Sequence, residues 1–199
     1  MNRPQMRRLT SKAIVIDRAN VDTDMIYPAR FLLVTQEHGL GQYAFHDHPQ
    51  LLGISADALR DMNGQVDRKI LIAGENFGCG SSREHSVWCL KDLGIEALIA
   101  PSFGEIFYNN CIQNGILPIV IEYPMLQKAG LTSAIFTIDI EGRTLQTGFG
   151  EPVEFKILSS DREMLLSGWS QVELIQNRYQ DAITQFEAHQ RRRFEWLAL

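Results

Sequence analysis

The chain lacks the features that would tie it to a membrane, an oxidising compartment or a nucleic acid. Its longest apolar runs, such as Ile116 to Ile121, fall far short of the roughly 20 residues a membrane span needs. No apolar core follows the early basic residues Arg3, Arg7 and Arg8, so no signal peptide is expected and a cytoplasmic setting is. Cysteine is scarce, with only Cys79, Cys89 and Cys111. An odd number without a CxxC pair makes no disulfide framework, and no close pair exists to begin a metal chelate. Positive charge is not in excess either: 19 Lys and Arg stand against 24 Asp and Glu, a formal net charge of −5. The field of the whole molecule therefore repels nucleic acid, RNA included, and any anion site has to be local. No internal repeat or low-complexity segment is present.

What is there is ordinary globular composition, 45% hydrophobic and 22% charged over 199 residues, enough for one well-buried domain. A single domain over residues 1–199 is expected, with a C-terminal helical extension from about residue 160. Short apolar runs alternate with amphipathic ones. Lys69 to Ala73, Glu96 to Pro101 and Gly115 to Glu122 read as strands, and Ser82 to Leu93 and Phe103 to Gln113 as helices stopped by Gly94 and Gly115. This βαβαβ pattern predicts a parallel sheet covered by helices. Upstream, Lys12 to Asp17 reads as a strand and Ala56 to Met62 as a short helix. Downstream, Ile135 to Ile140, Arg143 to Thr147 and Pro152 to Lys156 predict a small antiparallel set with turns at Glu141-Gly142 and Gly148-Phe-Gly150. Asp161 to Gly168 and Gln171 to Gln190 read as helices, and Arg191 to Arg193 as a solvated helix end. The fold class is α/β: a mostly parallel sheet flanked by helices, with extra small β elements.

The junction Gly74-Glu-Asn-Phe-Gly-Cys-Gly-Ser-Ser-Arg-Glu-His85 joins a strand to a helix and suits an anion. Its glycines allow sharp turns and close approach, Ser81 or Ser82 at the N-cap would leave amides facing outward, and Arg83 in the first turn calls for an anion to offset it. A glycine-rich turn with an ordinary serine cap accounts for the same residues about equally well. Known templates fail: the elbow of serine hydrolases needs glycine where Arg83 stands, no Gly-Lys-Ser/Thr follows Gly74, and Gly78 and Gly80 lack the third glycine of a dinucleotide loop. What remains is a hydroxyl, backbone amides and a guanidinium converging on a small anion. Ser81, its alkoxide stabilised by these neighbours, could take a proton from the carbon next to a bound carboxylate, but only if a strong electrophile such as a metal activates the substrate. The chain offers no evident site for that metal. Asp22, Thr23 and Asp24 read first as turn formers, and His46-Asp-His48 as surface loop before metal ligand.

Several segments in order carry a resemblance: Asn20-Val-Asp-Thr-Asp24, Pro28-Ala-Arg-Phe-Leu32, Gly78-Cys-Gly-Ser-Ser-Arg-Glu-His85 and Ala100-Pro-Ser-Phe-Gly-Glu-Ile-Phe107. Together, over most of residues 12 to 122, they resemble the swivel domain of the aconitase superfamily, and more closely the small-subunit family of the bacterial 3-isopropylmalate dehydratases. The resemblance implies an aconitase-type swivelling β/β/α domain and a hydro-lyase that interconverts 2- and 3-isopropylmalate by dehydration and rehydration in leucine biosynthesis. It implies no cofactor on this chain, a [4Fe-4S] cluster on a separate large subunit as partner, and a small diacid substrate. Carried over by motif, Ser81 is the base, Arg83 binds a carboxylate and Ser82 assists. Thr23 and Asp24 position the active-site groups, Gly80 and Arg30 contact substrate, and Leu32, Leu33 and Val34 meet the isopropyl group or belong to the core. The family's Gly-Leu-Asp-x-Ile-Gly-Leu-Thr-Leu stretch is replaced here by Ser167-Gly-Trp-Ser-Gln-Val-Glu-Leu-Ile175. A hydro-lyase for citramalate, homocitrate or dimethylmalate, or a non-catalytic carboxylate-binding module, stays open on these residues.

Overall fold

A computed structural model describes residues 4–33, 39–53, 67–122, 134–147, 150–194 and 196. Along the chain run β1 (Arg8–Ile16), α1 (Thr23–Ile26), β2 (Ile70–Ala73), α2 (Glu84–Asp92), β3 (Ala97–Ala100), α3 (Glu105–Asn114), β4 (Leu117–Val120), β5 (Ile135–Asp139), β6 (Thr144–Gln146), β7 (Val153–Glu154), α4 (Ser159–Ser167), α5 (Gln171–Arg178) and α6 (Gln180–Arg193). The strands form one seven-stranded sheet in the order β4-β3-β2-β1-β5-β6-β7. β2 and β3 are buried at every position, which is why they are apolar throughout instead of alternating. They pair in parallel with Ile70 opposite Ala97, and β3 pairs in parallel with β4, Ala97 opposite Leu117.

The sequence reading separated a parallel unit from an antiparallel set, and β1 unites them. Its second half pairs in parallel with β2, Ala13 opposite Ile70, and its first half antiparallel with β5, Leu9 opposite Ile138. β1 is accordingly longer than the Lys12 to Asp17 run. From Arg8 to Ser11 it alternates exposed and buried residues, the signature of a strand with one wet face, and so it carried no continuous apolar signal.

Both faces of the sheet are covered. On one, Ile14, Leu71 and Leu98 pack under Val87 and Leu90 of α2 and Phe107 and Cys111 of α3. On the other, Leu9, Ile70, Ile99, Phe136 and Ile138 pack under Met164 and Leu165 of α4 and Leu174 of α5. Each fully buried Leu, Ile or Phe contributes about 1.5–3 kcal/mol, so the two faces together carry most of the stability.

Gly115 ends α3 in the left-handed region at φ +79°, as expected. A capping box of Ser170 and Glu173 starts α5. The helix expected over Gln171 to Gln190 is instead two, divided at Tyr179, whose φ of −116° and ψ of 20° lie outside the helical range. The expected Ala56 to Met62 helix lies outside the described residues, as do Gly148 and Phe149. Since β1 to β4 run in one direction, their carboxyl ends gather the segments 17–22, 74–83 and 101–104 at one end of the sheet, where open α/β sheets bind ligands.

Candidate active site

The 74–83 segment is held through its backbone. Gly78 N–H donates to Val21 C=O at 2.8 Å, Thr23 N–H to Cys79 C=O at 3.0 Å, Phe77 N–H to Ser102 C=O at 3.1 Å and Gly104 N–H to Phe77 C=O at 2.9 Å. The loops that follow β1, β2 and β3 thus form one hydrogen-bonded mat. Gly78 has φ +71°, and a Cβ there would lie 2.2 Å from the Phe107 ring, so only glycine lets α3 close against the loop. Gly80, at φ +90°, is exposed and turns the chain outward into Ser81.

The serine cap expected for α2 is absent. The helix begins at Glu84, its N-cap is Arg83 in extended conformation, and no side chain caps it. Instead Arg83 N–H donates to Ser81 C=O at 2.8 Å and the buried Ser86 hydroxyl donates to Arg83 C=O at 2.7 Å. Ser81 and Ser82 are both exposed. Neither hydroxyl takes a hydrogen bond from the described residues; the bonds to Ser81 fall on its carbonyl.

Thr23, Asp24, Gly80, Ser81 and Arg83 are brought together. Asp22, first read as a turn former, caps α1 by accepting Met25 N–H at 2.7 Å. That cap aligns the next two residues. Thr23 is 1% exposed, and its hydroxyl donates to Ser81 C=O at 3.0 Å; it clamps the loop and has no hydroxyl left to turn outward. Asp24 accepts from the Arg83 guanidinium and from Ala29 N–H at 3.1 Å through the same oxygen. The expected cation in the first turn of α2 is therefore a half-buried N-cap arginine whose charge Asp24 offsets. An Arg fork has five N–H donors, so this contact leaves the guanidinium able to take a ligand carboxylate.

Arg30 stands apart from this group. Its guanidinium grips both carboxylate oxygens of Asp47, lies 3.1 Å from His46 Nδ1 and sits 4.6 Å from the centre of the Phe31 ring. The hydrogen bond from Arg30 holds the Asp47 carboxyl well below the usual carboxylate range, and Asp47 raises Arg30 in turn. An open depression of about 380 Å³ lies between the two groups, with Asp22, Asp24, Arg30, Asp47 and His48 on its walls. Asp24 links them, lining the depression and holding Arg83. Asp47 was read as part of a surface loop. Nothing in the sequence joins it to Arg30; only the fold brings them together.

Leu32 packs against Tyr27, Leu40 and Cys89, whereas Leu33 is 92% exposed; Val34 lies outside the described residues. Beneath them is an aromatic floor that sequence reasoning missed. Tyr27 is fully buried and donates to Phe31 C=O at 2.8 Å, its ring stacks on His85 at 6.1 Å, and His85 lies 4.7 Å from Trp88. Trp88 Nε1 donates to Asn114 at 3.1 Å, and Asn114 donates to Glu84 at 2.8 Å, tying the start of α2 to the end of α3.

The residues do not fit an iron-sulfur cluster on this chain. Cys89 is buried and donates to Leu40 C=O at 3.3 Å, and Cys111 is buried within the core. Burial pushes both thiols up, away from the thiolate a cluster requires. Burial, with Asp22 nearby, raises Cys79 as well. No group of three or more His, Cys, Asp or Glu placed to hold a metal exists among the described residues, and no helix there is long and apolar enough to cross a membrane.

A mixed sheet with a glycine-rich loop at the carboxyl ends of its parallel strands, bearing two exposed serines beside an ion-paired arginine, defines a class. The chain belongs to the aconitase C-terminal domain family, whose model matches residues 4–124. Among the relatives it resembles, a protein of Bacillus velezensis called 3-isopropylmalate dehydratase small subunit is 41% identical over 194 residues, 94% of this chain and 96% of that one. One of the same name from Halalkalibacterium halodurans is 40% identical over 185 residues, 90% and 95%. A crystal structure of 3-isopropylmalate dehydratase from Methanocaldococcus jannaschii superposes with a TM-score of 0.65 at 29% identity, over 86% of this chain and 98% of that one.

Proposed function

We propose that the chain is the small subunit of a 3-isopropylmalate dehydratase and supplies the proton-transfer half of an active site shared with a large subunit. The observation that carries this reading is the exposed Ser81 hydroxyl, bonded to none of the described residues, next to an Arg83 that Asp24 already orients. Arg83 takes a substrate carboxylate with its remaining donors, as a planar fork does best. Ser81, as alkoxide, removes the proton from the carbon beside that carboxylate while the hydroxyl leaves the neighbouring carbon, giving an alkene diacid. Water then adds with hydrogen and hydroxyl exchanged, and Ser81 returns the proton. Thr23 acts through the Ser81 carbonyl, keeping the hydroxyl outward. The leaving hydroxyl needs a Lewis acid, which we assign to a [4Fe-4S] cluster on the large subunit. Leu33, 92% exposed beside the depression's wall segment, is the apolar surface offered to the isopropyl group, and Arg30 the contact for a second carboxylate once Asp47 releases it.

Ser81→Ala in the assembled complex is expected to lower the isomerase rate more than 100-fold with complex formation unchanged, while Arg83→Lys raises KM more than it lowers kcat. Full activity of the Ser81→Ala complex would remove the serine from the mechanism. A panel of malate derivatives fixes the diacid.

A further inference from the structure

α5 and α6 follow one another across the break at Tyr179, whose N–H donates to Ile175 C=O at the end of α5 and whose C=O accepts Ile183 N–H at the start of α6. At 1.5 Å per residue α5 is about 12 Å long and α6 about 21 Å. α5 buries Leu174, but α6 buries no side chain at all. Val172 and Ile175 of α5, Tyr179 at the break and Phe186 of α6 are 63, 50, 52 and 62% exposed. An isolated helix of the 14 residues of α6 is marginal in water, and exposed apolar side chains on it call for a partner.

The position of these two helices says which partner. α4 ends at the foot of the sheet, where Leu165 C=O accepts from Met6 N–H just before β1 begins. Its other end lies toward the strand carboxyl ends, where Tyr108 in the first turn of α3 has its phenol raised by burial first and by the nearby Asp161 second. α5 starts at the foot and turns back along α4, Arg178 pairing with Glu163. α6 therefore leaves the body from the half of the molecule that carries the site. Two copies pairing through these helices would bury about 400 Å² per chain, since each of the four half-exposed side chains, two aliphatic and two aromatic, offers roughly 100 Å², against about 800 Å² per partner in a stable interface. The same side chains added to the margin of a larger contact have no such deficit.

We propose that these exposed side chains, together with the basic end Arg191 to Arg193, dock on the large subunit beside the shared active site, in an apolar groove bordered by acidic side chains. The proposal rests on the two-subunit reading above. The test measures binding of purified large subunit to the full-length chain, to Ile175→Asp/Phe186→Asp and to a variant with Gln at positions 191, 192 and 193. Both altered apolar positions are exposed, so circular dichroism should match the parent. The double variant is expected to bind at least about 30-fold more weakly with kcat unchanged at saturating large subunit, and the Gln variant should lose its deficit at high salt. Equal binding by parent and double variant overturns the docking proposal alone. Failure of the parent to bind overturns the two-subunit reading with it. A homodimer of the isolated chain that the double variant dissolves, seen by sedimentation, overturns the proposal in favour of a second copy.

Discussion

Gly78→Ala should be among the most damaging single-methyl additions in the molecule. The residue sits at φ +71°, where a non-glycine residue costs about 1–2 kcal/mol. Its new Cβ would lie 2.2–2.6 Å from three atoms of the Phe107 ring. Phe107 is 2% exposed and packed edge-on against Phe77 at 5.6 Å, so the ring cannot swing away, and overpacking of this kind adds about 1–3 kcal/mol. The sum, about 2–5 kcal/mol, is a large share of the 5–15 kcal/mol that typically holds a domain together. With a urea slope of about 2–3 kcal/mol per molar, the unfolding midpoint should fall by about 1–2 M. Gly53→Ala separates the two contributions: φ is +62° there but nothing lies within 4 Å, so only the backbone cost, about 1 kcal/mol, remains. In the Phe107→Ala background the Gly78 substitution should lose its clash contribution. A Gly78→Ala midpoint no lower than that of Gly53→Ala would refute the idea that α3 is fitted to the loop through this contact.

Thr23→Val removes a buried hydroxyl of near-identical volume and leaves Ser81 C=O with one donor. Stability should drop by about 1 kcal/mol while the isomerase rate of the complex drops more than tenfold, and Thr23→Ser should restore both; an unchanged rate would mean the clamp does not place Ser81. Alkaline stability follows from the buried thiols. Cys89 and Cys111 are pushed above the ordinary thiol value of 9.0, so above that pH the unfolded chain gives up protons that the folded chain keeps. Each thiol then lowers the free energy of unfolding by about 1.4 kcal/mol per pH unit, and below pH 9 its contribution is fully present. Urea midpoints between pH 8 and 10.5 should show the decline, with a shallower slope in Cys111→Ala; identical slopes in parent and variant would contradict the assignment.

The βαβαβ core was legible because β2 and β3 are buried on both sides and because glycines mark where the helices stop. The doubling of β1 was not, since half of it alternates and its antiparallel partner lies more than a hundred residues away. At the site, the motif residues flanking Ser81 stood out in sequence and drew their expected roles from the resemblance, while their contacts came only from geometry. Thr23 looked like a turn former and proved to be a clamp, while Ser81 and Ser82 looked like a cap and have hydroxyls that bond to none of the described residues. Asp47 and the Tyr27-His85-Trp88 floor left no signal, because each depends on contacts between segments far apart in the chain. The break at Tyr179 was also silent, as nothing in its neighbourhood resembles a helix stop.

The pairing of β1 with β5 bears on how the protein is made. Thr10 and Thr137 meet across 127 residues, so when β1 leaves the ribosome the strand that will cover its outer edge has not been synthesised. At about 5–20 residues per second the wait is about 6–25 s. During that time the nascent chain holds an unpaired strand edge next to the bare Leu9 and Ile70 face, the kind of surface that recruits other strands. Charged or polar residues at Arg8, Thr10 and Lys12 punctuate that edge, and they would serve the unfinished chain as guards before they serve the finished one as surface.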